Sequence, residues 1–253
     1  MNFDNASSVY FNNKEVDSIV CLDNNKTWYQ KETGPLEFTF SGTTLTQNSN
    51  GSFTGTNMMI DYGDGTIEST TGRFGHTYSK DGTYQVKIYG ITGLGNYCFY
   101  GCTGLTSITI PDNVISLGDY CFSRCTNLTS VEIPNGITGL GYYCFYGCTG
   151  LTSITIPSSI TSLGNSCFRN CTSLTSIIIP SSITSLENYC FQKCTGLISM
   201  QLNWTTASTI LTYNSKWISN TSSTLKLHIP AGTTQLYIDK GYPSAKIIDD
   251  VGT

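Results

Sequence analysis

The chain has 253 residues with a formal net charge of −4; only 12% are charged and 39% are hydrophobic. No Lys/Arg cluster is present to neutralise phosphates, which excludes an electrostatic nucleic-acid binder. No run of 18 apolar residues is present to insert a helix into a membrane. The polar surface must come from Thr, Ser, Asn, Gly and sixteen tyrosines, a composition common on proteins that face the outside of a cell or particle.

Residues 1–34 carry eight charges, against seven in the 106 residues of 91–196. "SSVYFNN", "EVDSIVCLDN" and "KTWYQKE" predict three short strands joined by Asn-rich turns. The opening lacks the basic region and apolar run of a secretory signal. With Met1 as the start, synthesis in a reducing cytoplasm is expected. A three-strand piece is marginal alone and is expected to pair with the next unit or with a partner. The segment resembles the N-termini of phage and viral structural proteins, which implies docking onto other virion structural proteins.

Residues 35–90 form a second unit. "LEFTFSG" and "GTYQVKIYG" alternate as strands, and "NMMIDYGDGT" is a strand running into an Asp-Gly turn. Asp61 and Asp64 are read as turn residues, since their spacing departs from a calcium-loop pattern, although calcium stays open. His76 beside an aromatic strand is read as a packed residue. The combination "DYGDGT…HTYSKDGTYQVKIYG" resembles the PKD domain, a small β-sandwich of surface proteins, in a block shorter than that family's usual length. Val86 and Ile88 alternate in the same way as Ile108 and Ile110. The last strand of the sandwich is therefore expected to double as the first rung of a stack that begins near residue 91.

From residue 105 the sequence falls into rows of 23: 105–127, 128–150, 151–173 and 174–196, preceded by a partial row at 91–104. The string "YCFYGCTGLTSITIP" occurs unchanged at 97–111 and 143–157, two rows apart. Each row reads as one coil of a solenoid. Leu105, Ile108 and Ile110 point inward from a strand, and Pro111 ends it by withholding an N–H. Val114 and Leu117 form a second inward pair, and Cys121, Phe122 and Cys125 come inward from a turn. One row cannot bury its apolar face; stacking gives each a neighbour on both sides.

Ten of the eleven cysteines fall in two columns, at 98, 121, 144, 167 and 190 and at 102, 125, 148, 171 and 194. Their register with Phe and Leu favours thiols packed as small hydrophobes. Disulfides and zinc remain alternatives. C-x₃-C is not a secreted-scaffold spacing, and only His76 and His228 could complete a ligand set.

The row "LTSIxIPxxITSLGxYCFxxC" resembles the BspA-like class of leucine-rich repeats found on microbial surfaces and in secreted adhesins. Here a Cys replaces the small residue before Phe. "LKLHIPAGTTQLYIDKGYPSAKII" (225–248) looks like that family's closing cap, and 197–223 like a degenerate last row. The resemblance implies a mostly β fold and binding rather than catalysis. The organisation expected is a short β docking segment (1–34), a PKD-like β-sandwich (35–90), a leucine-rich-repeat solenoid (91–196), and a degenerate repeat with C-terminal cap (197–253).

No nucleophile elbow, phosphate loop or carboxylate pair stands out, so no enzyme, metal or cofactor is expected. Positions that vary between rows carry the binding expectation. On the strand these are Thr109, Glu132, Thr155, Ile178 and Gln201. Before the first Cys they are Tyr97, Tyr120, Tyr143, Ser166 and Tyr189. A tyrosine stripe could stack on sugars or contact a protein, or its rings could simply cover neighbouring coils. The function expected is a non-enzymatic virion component, at the tail or capsid surface, whose solenoid meets a host surface protein or glycan. A cell-surface adhesin and a cytosolic scaffold are the alternatives, and self-association into a homo-oligomer is open.

Overall fold

The computed structural model describes residues 34–250 and, before them, the pairing of two short strands. These are β1 (Val9–Tyr10) and β2 (Val20–Cys21), antiparallel with Val9 opposite Cys21. They fall within the first two strands expected of the N-terminal segment; the rest of that segment lies outside the described residues.

The second unit has β3 (Leu36–Ser41), β4 (Thr44–Thr46), β5 (Phe53–Asp61), β6 (Ile67–Ser69), β7 (Gly75–Thr77) and β8 (Thr83–Leu94). Alternation buries Leu36, Phe38 and Phe40 on one face of β3, and Val86 and Ile88 on one face of β8, as a half-buried strand requires. β3, β8, β5 and β6 pair antiparallel, while β4 and β7 form a separate two-stranded layer. Between the layers lie Phe38, Phe53 and Phe74, with Phe53 and Phe74 stacked at 5.9 Å.

The solenoid strands are β9 (Leu105–Thr109), β10 (Ser130–Glu132), β11 (Gly139–Leu140), β12 (Ser153–Thr155), β13 (Ser162–Leu163), β14 (Ser176–Ile179), β15 (Ser185–Leu186) and β16 (Ser199–Leu202). The cap adds β17 (Lys226–Pro230), the short helix α1 (Thr234–Asp239) and β18 (Ile247–Asp250). The fold is mostly β, a solenoid of about 6 turns. Sheet pairing is parallel in register at 23-residue steps: Val131 lies opposite Ile108 and Ile154, and Ile177 opposite Met200.

Each coil is held by three ladders. The first is the sheet. The second joins Leu94, Leu117, Leu140, Leu163 and Leu186 in parallel. The third lies in the turn, where alternate amides donate to the next coil: Tyr97 to the Asp119 carbonyl at 2.9 Å, Phe99 to Cys121 at 2.7 Å and Gly101 to Ser123 at 2.8 Å. Inside, Phe99, Phe122, Phe145, Phe168 and Phe191 stack face to face at 5.2–5.5 Å. The inward positions expected of the rows are buried except Leu186, which is half-buried against the core.

The joint between the two units differs from the expected one. The end of β8 does enter the solenoid: Ile115 and Leu94 donate their amides to the Thr92 and Ser116 carbonyls, and Leu94 bridges Leu117. But the strand beside β9 is β3, antiparallel, with Phe38 opposite Ile108 and Glu37 opposite Thr109. Val86 and Ile88 are one strand further out, opposite Phe38 and Leu36. An antiparallel strand caps the first rung with its own amides and carbonyls, and Phe38 packs edge-on against Phe99 at 5.2 Å. That closes an edge which a bare solenoid would leave open.

At the other end the sixth row is four residues longer, since Ser199 pairs with Lys226 rather than with a residue 23 further on. Trp217 and Ile218 replace the first Cys and the Phe, and the buried Trp204 donates its indole N–H to the Ile183 carbonyl at 2.9 Å. Tyr237 of α1 is fully buried and donates to the Leu202 and Trp204 carbonyls. The degenerate row is a lid on the stack.

Candidate functional site: an outward row on the solenoid sheet

Strand alternation decides which side chains leave the core. With Ile108, Val131 and Ile154 inward, the next residues, Thr109, Glu132 and Thr155, point out and lie opposite one another in register. Glu37 extends the row beside Thr109, and Lys87 extends it beside Glu37, with a 3.0 Å ion pair between them. The bond from Glu37 raises the Lys87 pKa and outweighs its partial burial. Beyond Thr155 the row continues through Ile178, Gln201 and His228, the last bonded to Asp250 at 3.0 Å.

The Pro column follows this row at the strand ends. Together they line a groove of about 650 Å³ whose walls include Glu37, Glu132 and Asp112 with Pro111, Pro134 and Pro157. Thr109 and Thr155 line it as well, so Thr109, Glu132 and Thr155, singled out in the sequence, meet in one place. Gln201 does not; it belongs to the group of strands β14-β16-β17-β18. Glu37 was not foreseen. It comes from an antiparallel strand outside the repeat, and no period in the sequence points to it.

The tyrosine stripe lies at another corner of the coil. Tyr97, Tyr120 and Tyr143 stack in parallel, each pair at 4.8 Å and 6°. Their faces are largely spent on one another. Burial, with the neighbouring tyrosines, raises the Tyr120 hydroxyl pKa. Ser166 interrupts the column and is fully buried, and Tyr189 beyond it has the Arg169 guanidinium over its ring at 5.9 Å. All five positions have left-handed backbone, φ from 54° to 62°, which costs an L-residue about 1–2 kcal/mol. The turn-ladder hydrogen bonds offset that cost.

The repeated fifteen-letter string recurs after 46 residues, skipping one coil. Tyr100 and Gly101 alternate with Ser123 and Arg124, then Tyr146 and Gly147. Arg124 lies over the Tyr100 ring at 5.8 Å, and a Cβ on Gly147 would be 3.7 Å from its Cγ. Small and large residues thus interleave between successive coils.

The cysteine columns are buried as free thiols. In four coils the second thiol donates to the Phe carbonyl of the coil before: Cys125 to Phe99, Cys148 to Phe122, Cys171 to Phe145 and Cys194 to Phe168, at 3.0–3.2 Å. A small side chain with a weak donor suits that position. Burial pushes the Cys102, Cys148 and Cys194 thiols up to about 12, far from a nucleophilic or metal-binding thiolate.

In the smaller unit, Asp61 accepts the Gly63 amide and Asp64 the Thr66 amide, both at 2.9 Å. The other Asp64 oxygen meets His76 Nε2 at 2.7 Å, and His76 stacks on Tyr62 at 4.4 Å. Burial opposes the Asp64 charge, but the bonds from His76 and Thr66 prevail and lower its pKa. These carboxylates serve the turn.

Comparison with known proteins agrees with this geometry. Six copies of the BspA type leucine rich repeat region match residues 92–221. A leucine-rich repeat protein from Bacteroides ovatus is 26% identical, with TM-score 0.51, over 70% of this chain and 46% of its own. The T. pallidum leucine rich repeat protein is 21% identical, TM-score 0.48, over 60% of this chain and 78% of its own. A leucine rich cell surface protein of Faecalibacterium prausnitzii is 27% identical, TM-score 0.47, over 58% and 36%. The chain therefore spans less than half the length of the Bacteroides and Faecalibacterium proteins. No curated protein matches it. Six repeats over 92–221, stacked in register on a parallel sheet, place this chain in the BspA type leucine-rich repeat family.

Proposed function

We propose that this protein is a non-enzymatic interaction module that binds a partner at a surface outside the cell through the outward row of its solenoid sheet. The observation that carries this reading is the alignment of Glu37, Thr109, Glu132 and Thr155 across four paired strands over one groove. Side chains on a rigid, hydrogen-bonded ladder are pre-organised, so little conformational entropy is lost on binding. The unit at 35–90, PKD-like in its turn and strand motifs, serves as a rigid base for the solenoid. The division at 34, 90 and 196 remains our reading of how the chain is organised.

The carrier we favour is a virus particle, with residues 1–34 docking onto other virion structural proteins and the solenoid directed at a host surface protein or glycan. The resemblance of the N-terminal segment supports it. Membership of the BspA type family supports a second reading, a cell-surface adhesin. Binding of the labelled full chain to intact candidate host cells tests the module itself. Saturable binding that falls with Thr155→Arg supports it, and binding indifferent to Thr109, Glu132 and Thr155 substitutions refutes it. Co-sedimentation of the chain with particles or with cell envelopes then separates the two carriers.

A further inference from the structure

The groove beside the outward row has a one-sided chemistry. Glu37, Glu132 and Asp112 line it and, among the described residues, no Lys or Arg does. Glu132 and Asp112 are exposed, while Glu37 holds Lys87 through Oε1. Pro111, Pro134 and Pro157 line it at the strand ends, two residues on from Thr109, Glu132 and Thr155, and each lacks an N–H. The groove is thus largely apolar, with the Thr109, Thr155 and Asn135 side chains as its donors and carboxylates on its rim.

The carboxylates are also spaced. Glu37 lies opposite Thr109, and Thr109 opposite Glu132, so the two glutamates are two strand spacings apart, about 9.6 Å. In a polyproline II helix, with three residues per turn and about 3.1 Å rise, residues i and i+3 share a face about 9.3 Å apart. A strand ligand places i and i+2 about 6.6 Å apart, out of step with this pair.

Resting on the reading that this face binds a partner, we propose that the groove takes an extended, proline-rich peptide segment in polyproline II form that carries Lys or Arg at every third position. The basic residues meet Glu132 and Glu37, and the prolines lie against Pro111, Pro134 and Pro157. The segment runs along the solenoid axis, across the strands.

The test uses the full chain and two blocked hexapeptides of one composition, Lys-Pro-Pro-Lys-Pro-Pro and Lys-Lys-Pro-Pro-Pro-Pro, with affinity measured at low and physiological salt. The spaced peptide should bind at least about fivefold more tightly than the clustered one. Its affinity should fall by about two- to fivefold in Glu132→Gln, which removes one exposed ion pair. Equal binding of the two peptides, or indifference to Glu132→Gln with Glu37→Gln, overturns the proposal. So does a chain that binds neither peptide because residues preceding Gly34 fill the groove, shown by cross-linking of Lys26 or Lys31 to Glu132. Host-cell binding that depends on Thr155 while both peptides fail would leave the interaction reading standing and remove this one.

Discussion

The phenylalanine column offers the sharpest test of how the solenoid is held together. Phe145 is fully buried between Phe122 at 5.2 Å and Phe168 at 5.4 Å. Truncation to Ala removes the ring, leaves a cavity between coils and should cost about 3–5 kcal/mol. Phe191 is equally buried but has a ring, Phe168 at 5.5 Å, on one side only; the sixth row carries Ile218 there. One ring pair contributes about 0.5–1.5 kcal/mol beyond its area, so Phe191→Ala should cost about 1 kcal/mol less. The position matters too, because stability in a repeat array is carried by coupling between neighbours. Phe145→Ala should broaden the urea transition or lower its slope, as the two halves begin to melt apart, and Phe191→Ala should not. Urea denaturation monitored by tyrosine and tryptophan fluorescence reads both quantities. Equal losses for the two variants, or a loss below about 1 kcal/mol for Phe145→Ala, would refute the column as the main contact between coils.

Close contacts and buried groups set four further outcomes. Gly164→Ala would place a Cβ 2.7 Å from the Gly141 carbonyl carbon and 2.8 Å from the Tyr142 nitrogen, and should cost about 1–3 kcal/mol in the same urea assay. Gly101→Asn, at φ 70° with nothing near its Cβ, should change stability by under about 1 kcal/mol, since Asn tolerates that backbone region. The ladder cysteines should resist an aromatic disulfide reagent at pH 8 in the native chain and react fully in urea. Their raised pKa also fixes the sign of the pH dependence. Thiols at about 12 in the folded chain, against 9.0 when unperturbed, stabilise it fully below pH 9, and that contribution is lost as pH rises from 9 towards 12. Stability that rises over that window would show the thiols are not buried as described.

The repeat, its 23-residue step and the inward set from Leu105 to Cys125 could be read from the amino acids alone, because identical neighbours enforce the same burial in successive coils. The sequence also favoured the cysteines as core residues, since their columns share the register of Phe122 and Phe145, and the structure buries them as free thiols. The unequal sixth row, with Trp204 and Trp217 replacing small residues, was legible as a departure, though not as the hydrogen-bonded lid it forms with Tyr237. Which strand begins the solenoid emerged from the three-dimensional packing. Pairing between β3 and β9 joins residues about seventy positions apart in antiparallel register, and residues 35–41 alternate as a strand but lie outside the 23-residue repeat that would have named a partner. That one pairing brings Glu37 into line with Thr109 and Glu132 and makes a groove out of a row. The packing also decided that Tyr97, Tyr120 and Tyr143 face one another at 4.8 Å, because the spacing between coils is set by the backbone ladders and leaves each ring face against the next.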